Sequence, residues 1–307
     1  MKRIVSVSLG SSQRNHAATA EILGEEVVVE RIGTDGSIPK AIKMIEELDG
    51  KVDAFGMGGI DLYVYAAGQR YAFRDARRIA AAARKTPMVD GSGLKNTLER
   101  RVVRWVDKEL MPLKGKKVLL VSSVDRFGMA EALVECGADI IFGDVMFGLG
   151  LNIPIRKFST VHRLARILLP IITQLPFTWL YPTGEKQNQR VVKYADTYQW
   201  ADIIAGDYLY IERHMPDQLQ GKMILTNTVT PKNIEELRQR GVATLVTTTP
   251  NLGGRSFGTN VMEGLLVAKA GRKPEEMTPA DYEAWLDKMG FTPRVERLNE
   301  PVAQAAW

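Results

Sequence analysis

From Gly115 onward, short apolar runs alternate with helical stretches, and this alternation constrains the fold more than any other feature of the chain. The runs are Val118–Val121, Ile140–Phe142, Thr178–Tyr181, Ile203–Ala205, Met223–Leu225 and Thr244–Val246. Each is too short for a helix and almost wholly apolar, as strands covered on both faces are. Helical stretches centred near Ala132, Ala165, Lys193 and Leu237 separate them, with only a short turn or helix around Met215–Leu219. Strands and helices alternating in this way predict a doubly wound parallel sheet of the Rossmann type. A helix over Thr259–Ala270 follows the last strand. Another begins at Thr278 as N-cap with Pro279 in its first turn, and the last seven residues read as a frayed tail.

The part before Gly115 is also α/β, with a less regular rhythm. Arg3–Leu9 alternates with period two, and Ala20–Leu23 and Val27–Ile32 are strand-like runs split at Gly24. Ile38, Ile42, Ile45 and Leu48 recur at helical spacing and stop at Asp49-Gly50. Val52–Met57 reads as a strand, Arg74–Lys85 and Leu94–Leu110 as helices. Pro112 and Gly115 punctuate a boundary. The chain is therefore expected to be α/β with two domains: an N-terminal substrate domain over 1–112 and a Rossmann-like cofactor domain over 113–272. A helical segment over 273–307 would return to the first domain.

Composition narrows the function. A length of 307 residues suits about two domains, and 45% hydrophobic with 25% charged residues excludes a disordered chain. The net charge of +5 is spread along the sequence, which argues against nucleic acid as a partner. A single cysteine, Cys136, points to a reducing compartment, and three scattered histidines give no zinc spacing. His162 lies in a largely apolar helical stretch and is expected to pack. The greasiest stretch, Leu164–Leu180, is broken by Arg166, Pro170, Gln174 and Pro176, so no membrane span is expected. Together these predict a cytoplasmic protein with a small-molecule partner, homo-oligomerisation being left open.

Ligands of an open parallel sheet sit outside the carboxyl ends of its strands. After the first run, Ser122, Ser123, Arg126, Phe127 and Gly128 open onto a helix and could cradle a phosphate. They do not form the G-x-G-x-x-G fingerprint, and Ser123 or Asp125 could equally be a helix cap. Asp144, after the second run, stands where a carboxylate binds cofactor ribose, or is a solvated strand-end acid. Arg156 and Lys157 downstream leave NAD against NADP open. Thr226, Asn227, Thr228 and Thr248 supply short polar groups at the later strand ends. The glycine-rich stretch after them carries Arg255, a clamp for a substrate carboxylate, and Ser256. In the first part, Asp90 and Lys95 form a proton-transfer pair on one loop, with Asn96 beside them as a substrate contact and a surface lysine as the plain alternative.

The order of parts resembles the shikimate/quinate dehydrogenase-like family, including its quinate dehydrogenase relatives. The similar segments are Leu113-Lys114-Gly115-Lys116-Lys117-Val118-Leu119-Leu120, Ala201-Asp202-Ile203-Ile204, and Met262-Glu263-Gly264-Leu265-Leu266-Val267-Ala268-Lys269. The family's glycine-rich turn is replaced by Ser122–Gly128, and the Lys95/Asp90 pair comes from loop chemistry rather than from the family's lysine motif. The resemblance implies an oxidoreductase that moves a hydride between NAD or NADP and a small polyhydroxy carboxylate such as quinate or shikimate. The alternative is a nucleotide- or metabolite-binding protein with a Rossmann-like sheet and no redox step.

Overall fold

The computed structural model describes residues 1–176, 190–227, 229–249, 251–252, 255–256 and 258–300, with 251–252 and 255–256 described by their backbone alone. The expected strand Thr178–Tyr181, Thr228, the side chains of Arg255 and Ser256, and the tail over 301–307 lie outside the described residues. The fold is α/β, with parallel sheets and helices in both of its compact units. One unit is Met1–Leu98 with Arg163–Asn188 and Phe257–Phe291; the other is Glu99–His162 with Gln189–Ser256 and Thr292–Trp307.

The first unit is built on a five-stranded sheet. β1 (Lys2–Ser8) runs through its middle, and Ile4, Val5 and Val7 are buried there. β2 (His16–Ile22) and β3 (Glu25–Gly33) form a hairpin, and β3 lies parallel to β1 with Ser6 opposite Arg31. The turn between them matches the break expected at Gly24, which takes a positive φ of 72°. α1 (Ile38–Leu48) starts at Ser37, whose hydroxyl accepts the Lys40 N–H, and buries Ala41 and Ile45 one turn apart. β4 (Ala54–Gly58) then joins β1 from the other side. β5 (Tyr63–Ala66) and β6 (Gln69–Ala72) form a separate two-stranded ribbon, followed by α2 (Arg74–Ala80), β7 (Met88–Val89) and α3 (Ser92–Trp105). The sheet order is β2-β3-β1-β4-β7, so the order reverses at β1.

Two helices end earlier than their periodicity predicts. α2 stops at Ala80 because the Asp49 carboxylate accepts the backbone N–H groups of Arg84, Lys85 and Thr86 at 2.8–3.0 Å and holds them in a turn. α3 gives way after Trp105 to a π-helical turn over Val106–Leu110.

The second unit carries a six-stranded sheet. Its strands are β8 (Lys117–Leu120), β9 (Asp139–Phe142), β10 (Ile203–Ala205), β11 (Met223–Thr226), β12 (Thr244–Thr247) and β15 (Arg294–Arg297). Between them run α4 (Phe127–Glu135), α5 (Phe158–Ile172), α6 (Ala195–Trp200), α7 (Tyr208–His214) and α8 (Pro231–Gln239). α7 is absent from the sequence expectation; Asp207 starts it, accepting the Leu209 N–H at 2.9 Å. His162, on α5, packs edge-on against Phe127 and Phe158, with ring centroids 4.8 and 4.6 Å away. Strand order is β15-β12-β11-β10-β8-β9, with β8 to β12 mutually parallel and β15 antiparallel at the edge. The order reverses at β8, between β9 and β10.

The rest of the chain departs from the expected layout. The short backbone pair β13 (Asn251–Leu252) and β14 (Arg255–Ser256) is followed by α9 (Thr259–Ala270) and α10 (Pro279–Lys288). α9 was expected in the cofactor domain, but it belongs to the first unit. Val261–Ala268 is buried throughout, and a Cβ at Gly264 would come within 3.1 Å of Ile4 Cγ2 on β1. A helix apolar on all sides needs cover all round, and the first sheet supplies one side of it. The segment 273–307, expected to be helical, also contains β15, which pairs with β12. α10 begins as expected, with Thr278 and Asp281 forming a capping box.

Candidate functional site

The carboxyl ends of β8, β9, β10 and β11 place most of the sequence-predicted residues on one rim, and the chain's own groups fill much of it. Asp144 turns back from the end of β9 onto the loop after β8. One of its oxygens accepts the Ser123 and Val124 N–H groups, both at 2.9 Å, and the other accepts the Ser123 hydroxyl. Burial pushes the Asp144 carboxyl above the usual range, against the pull of those donors. A carboxylate offers about four acceptor sites. Three are taken, so the ribose role assigned to Asp144 is reduced to one remaining lone pair. Two N–H groups of the loop before α4, those of Ser123 and Val124, are taken by this carboxylate.

Arg126, expected as a phosphate partner, is buried at the entrance of α4. Its guanidinium donates to Glu99 and, at 3.0 Å, to Asp207, and its Nε lies 3.8 Å from Asp125. Burial alone would lower its pKa; the three carboxylates outweigh burial and hold it above its ordinary value. One cation among three acids has no charge to spare for a diphosphate. Asp207 is further tied by the Asn227 amide, which donates to it at 2.9 Å. The Thr226 hydroxyl donates to the Gly206 carbonyl at 2.8 Å, and the buried Thr248 hydroxyl has no hydrogen-bond partner among the described residues. Gly206 has φ 129°, and a Cβ there would lie 2.6 Å from Val121 Cγ2. The rim depends on that glycine.

Phe127 and Gly128 are buried in the first turn of α4 and present no side-chain polar group. Sequence reasoning missed Glu99. It sits on α3 with the composition of a surface acid, and only burial against Arg126 reveals its part.

The proposed Asp90/Lys95 pair fares differently. Asp90 Oδ2 accepts the Leu62 and Tyr63 N–H groups at 2.6 and 2.8 Å, and Oδ1 accepts the Ser92 N–H and hydroxyl at 3.0 and 2.6 Å. Its acceptor capacity is full, and it fixes the entries of β5 and α3. Lys95 and Asn96 are half-buried on the first turns of α3. Glu263 on α9 is a carboxyl of this unit that is pushed upward. Burial first, then the charge of Asp90, push its carboxyl up to about 8, opposed by the Tyr282 hydroxyl and the N–H groups of Gly91 and Leu94. Tyr282 donates to it at 2.7 Å. A Cβ at Gly93 would stand 2.3 Å from Glu263 Oε1, so a glycine is required beneath it. Among the described residues there is no group of three or more His, Cys, Asp or Glu placed to hold a metal.

A family model described as Domain of unknown function (DUF8754) matches residues 93–298. The chain belongs to the DUF8754 family. A second model, Domain of unknown function (DUF8753), matches residues 3–90. The DUF8754 match thus begins within the first turn of α3 rather than at the boundary expected near 112. No curated protein matches this DUF8754 chain. Among solved structures it is similar to a galactofuranose binding protein, at 14% identity over 95% of this chain and 100% of that one, with a TM-score of 0.37. It is also similar to L-tryptophan dehydrogenase from Nostoc punctiforme, at 11% identity over 94% of this chain and 80% of that one, TM-score 0.40. An NAD-dependent malic enzyme from Thermotoga maritima shares 12% identity over 94% of this chain and 84% of that one, TM-score 0.33. Likenesses of this strength say nothing of the ligand. No described helix is long and apolar enough to cross a membrane.

Proposed function

We propose that the protein binds a small, neutral, hydroxyl-rich metabolite at the carboxyl ends of β8, β10 and β11, without a dinucleotide diphosphate at the start of α4. The observation that carries this reading is the charge balance at the rim: Arg126 is neutralised by Glu99 and Asp207 while Asp144 consumes the loop N–H groups. A diphosphate needs donors and positive charge, and in this loop Asp144 already takes the Ser123 and Val124 N–H groups and two carboxylates take the Arg126 charge. Hydroxyl groups suit it better. Asp125, beside these residues, is only partly buried and presents a carboxylate to O–H donors. Calorimetric titration of the protein with NAD, NADP and a panel of polyols and sugars tests it. The expected result is saturable binding of a polyol, weakened by Asp125→Asn, with no heat from either dinucleotide. Tight NAD or NADP binding sinks the reading.

A second reading, an NAD(P)-dependent oxidoreductase acting on a quinate- or shikimate-like acid, is supported by strand order. The order β9-β8-β10-β11-β12 reverses at β8, the kind of point at which doubly wound sheets, dinucleotide-binding ones among them, take their ligands. Appearance of reduced nicotinamide with quinate or shikimate is its test, and failure with both cofactors removes it.

A further inference from the structure

The order of the first sheet also reverses, at β1, and the loop after that strand carries an arginine with an unusual set of neighbours. Arg31, near the end of β3, reaches across to that loop. Its Nη1 donates to the Ser11 carbonyl at 3.1 Å and its Nη2 to the Ser8 hydroxyl at 3.0 Å. Two other arginines that are not fully exposed are matched to acids: Arg3 forks onto Glu30, and Arg240 is held by Glu236 and Asp217. Arg31 has no carboxylate oxygen in ion-pair contact among the described residues. Its nearest charges are Arg14, on the same loop, and Asp35, whose carboxylate accepts the Ser12 N–H at 2.6 Å. Burial first, then repulsion from Arg14, hold the Arg31 guanidinium down at about 10.

A guanidinium has five N–H donors, of which protein groups take only two here. Space for the group is kept by glycine. A Cβ at Gly10 would stand 2.8 Å from Arg31 Nη2, and one at Gly33 would stand 2.5 Å from the Ser11 carbonyl oxygen. The crevice outside the carboxyl end of the strand where sheet order reverses is where open α/β sheets take ligands. A doubly charged oxyanion suits two arginines better than a carboxylate does. We propose that Arg31, with Arg14 and the Ser8–Ser12 loop, binds the phosphate group of a small molecule at the carboxyl end of β1. This site lies in the first unit and is independent of the polyol reading for the second sheet.

The test is calorimetric titration of the full chain with inorganic phosphate at fixed ionic strength, with acetate as the carboxylate control. Wild type should bind phosphate saturably at one site. Arg31→Gln should weaken it by about 10- to 100-fold, the weight of a lost charge-assisted hydrogen bond. Arg14→Gln, being exposed, should weaken it by about threefold. Gly10→Ala keeps every charge and displaces Nη2, so it should lose as much affinity as Arg31→Gln; circular dichroism checks that each variant is folded. Equal phosphate binding by wild type and Arg31→Gln, or no saturable binding by wild type, overturns the site. Acetate binding as tight as phosphate overturns the phosphate assignment.

Discussion

Replacing Glu263 by glutamine should make the protein more stable at alkaline pH and leave it unchanged in acid. The carboxyl sits 3% exposed between α9, α10 and the start of α3, with Tyr282 donating to it at 2.7 Å. Below its unfolded value of 4.5 it is protonated in both states and costs nothing. Above that, the unfolded chain ionises while the folded protein keeps its proton up to about 8. The folded state then binds more protons than the unfolded one, so stability falls as pH rises. At about 1.4 kcal/mol per pH unit, the loss accumulated by the upper end of that window is on the order of 3–5 kcal/mol. Glutamine keeps an acceptor for Tyr282 and cannot ionise. Urea midpoints of wild type and Glu263→Gln, measured from acid to alkaline pH, should coincide at the acid end and separate steadily through neutrality. A difference that is flat with pH, or a variant less stable at the alkaline end, refutes the argument that this acid is buried uncharged.

Other outcomes follow from the second sheet. Arg126→Met should lower stability by about 3–5 kcal/mol in thermal unfolding, because it leaves Glu99 and Asp207 facing each other without their cation. Arg126→Lys should recover only part of this, since an ammonium cannot fork onto two carboxylates. Asp144→Ala should cost about 2–4 kcal/mol by the same measurement, because the Ser123 and Val124 N–H groups lose their acceptor; a loss below about 0.5 kcal/mol would mean that the loop holds itself. Gly206→Ala combines a φ of 129° with a Cβ 2.6 Å from Val121 Cγ2, and should either destabilise by more than about 2 kcal/mol or fail to accumulate as soluble protein.

Much of the architecture could be read from the sequence because it is written in local period and local chemistry. The short apolar runs mark β8 to β12, except for the one outside the described residues, since a strand covered on both faces has no polar positions to spare. Thr278 marks a helix start because a hydroxyl one residue before the first turn satisfies an N–H that has no other partner. The residues gathered at the carboxyl rim were named from strand ends alone, because a parallel sheet sends every such end to one side. What those residues do there was decided by tertiary structure. Asp144 turns onto Ser123 and Val124, about twenty residues away in sequence, and Arg126 meets Glu99 and Asp207 from two other elements. No period records such pairings. An acid that caps a loop, one that neutralises a buried arginine and one that waits for a ligand have the same composition, and only their desolvation and their partners distinguish them. The same holds for α9 and β15. The apolar pattern of α9 says that it must be covered, while β15, with Val295 as its one apolar residue, lies in a segment expected to be helical; for both, the choice of sheet comes from packing across distant parts of the chain.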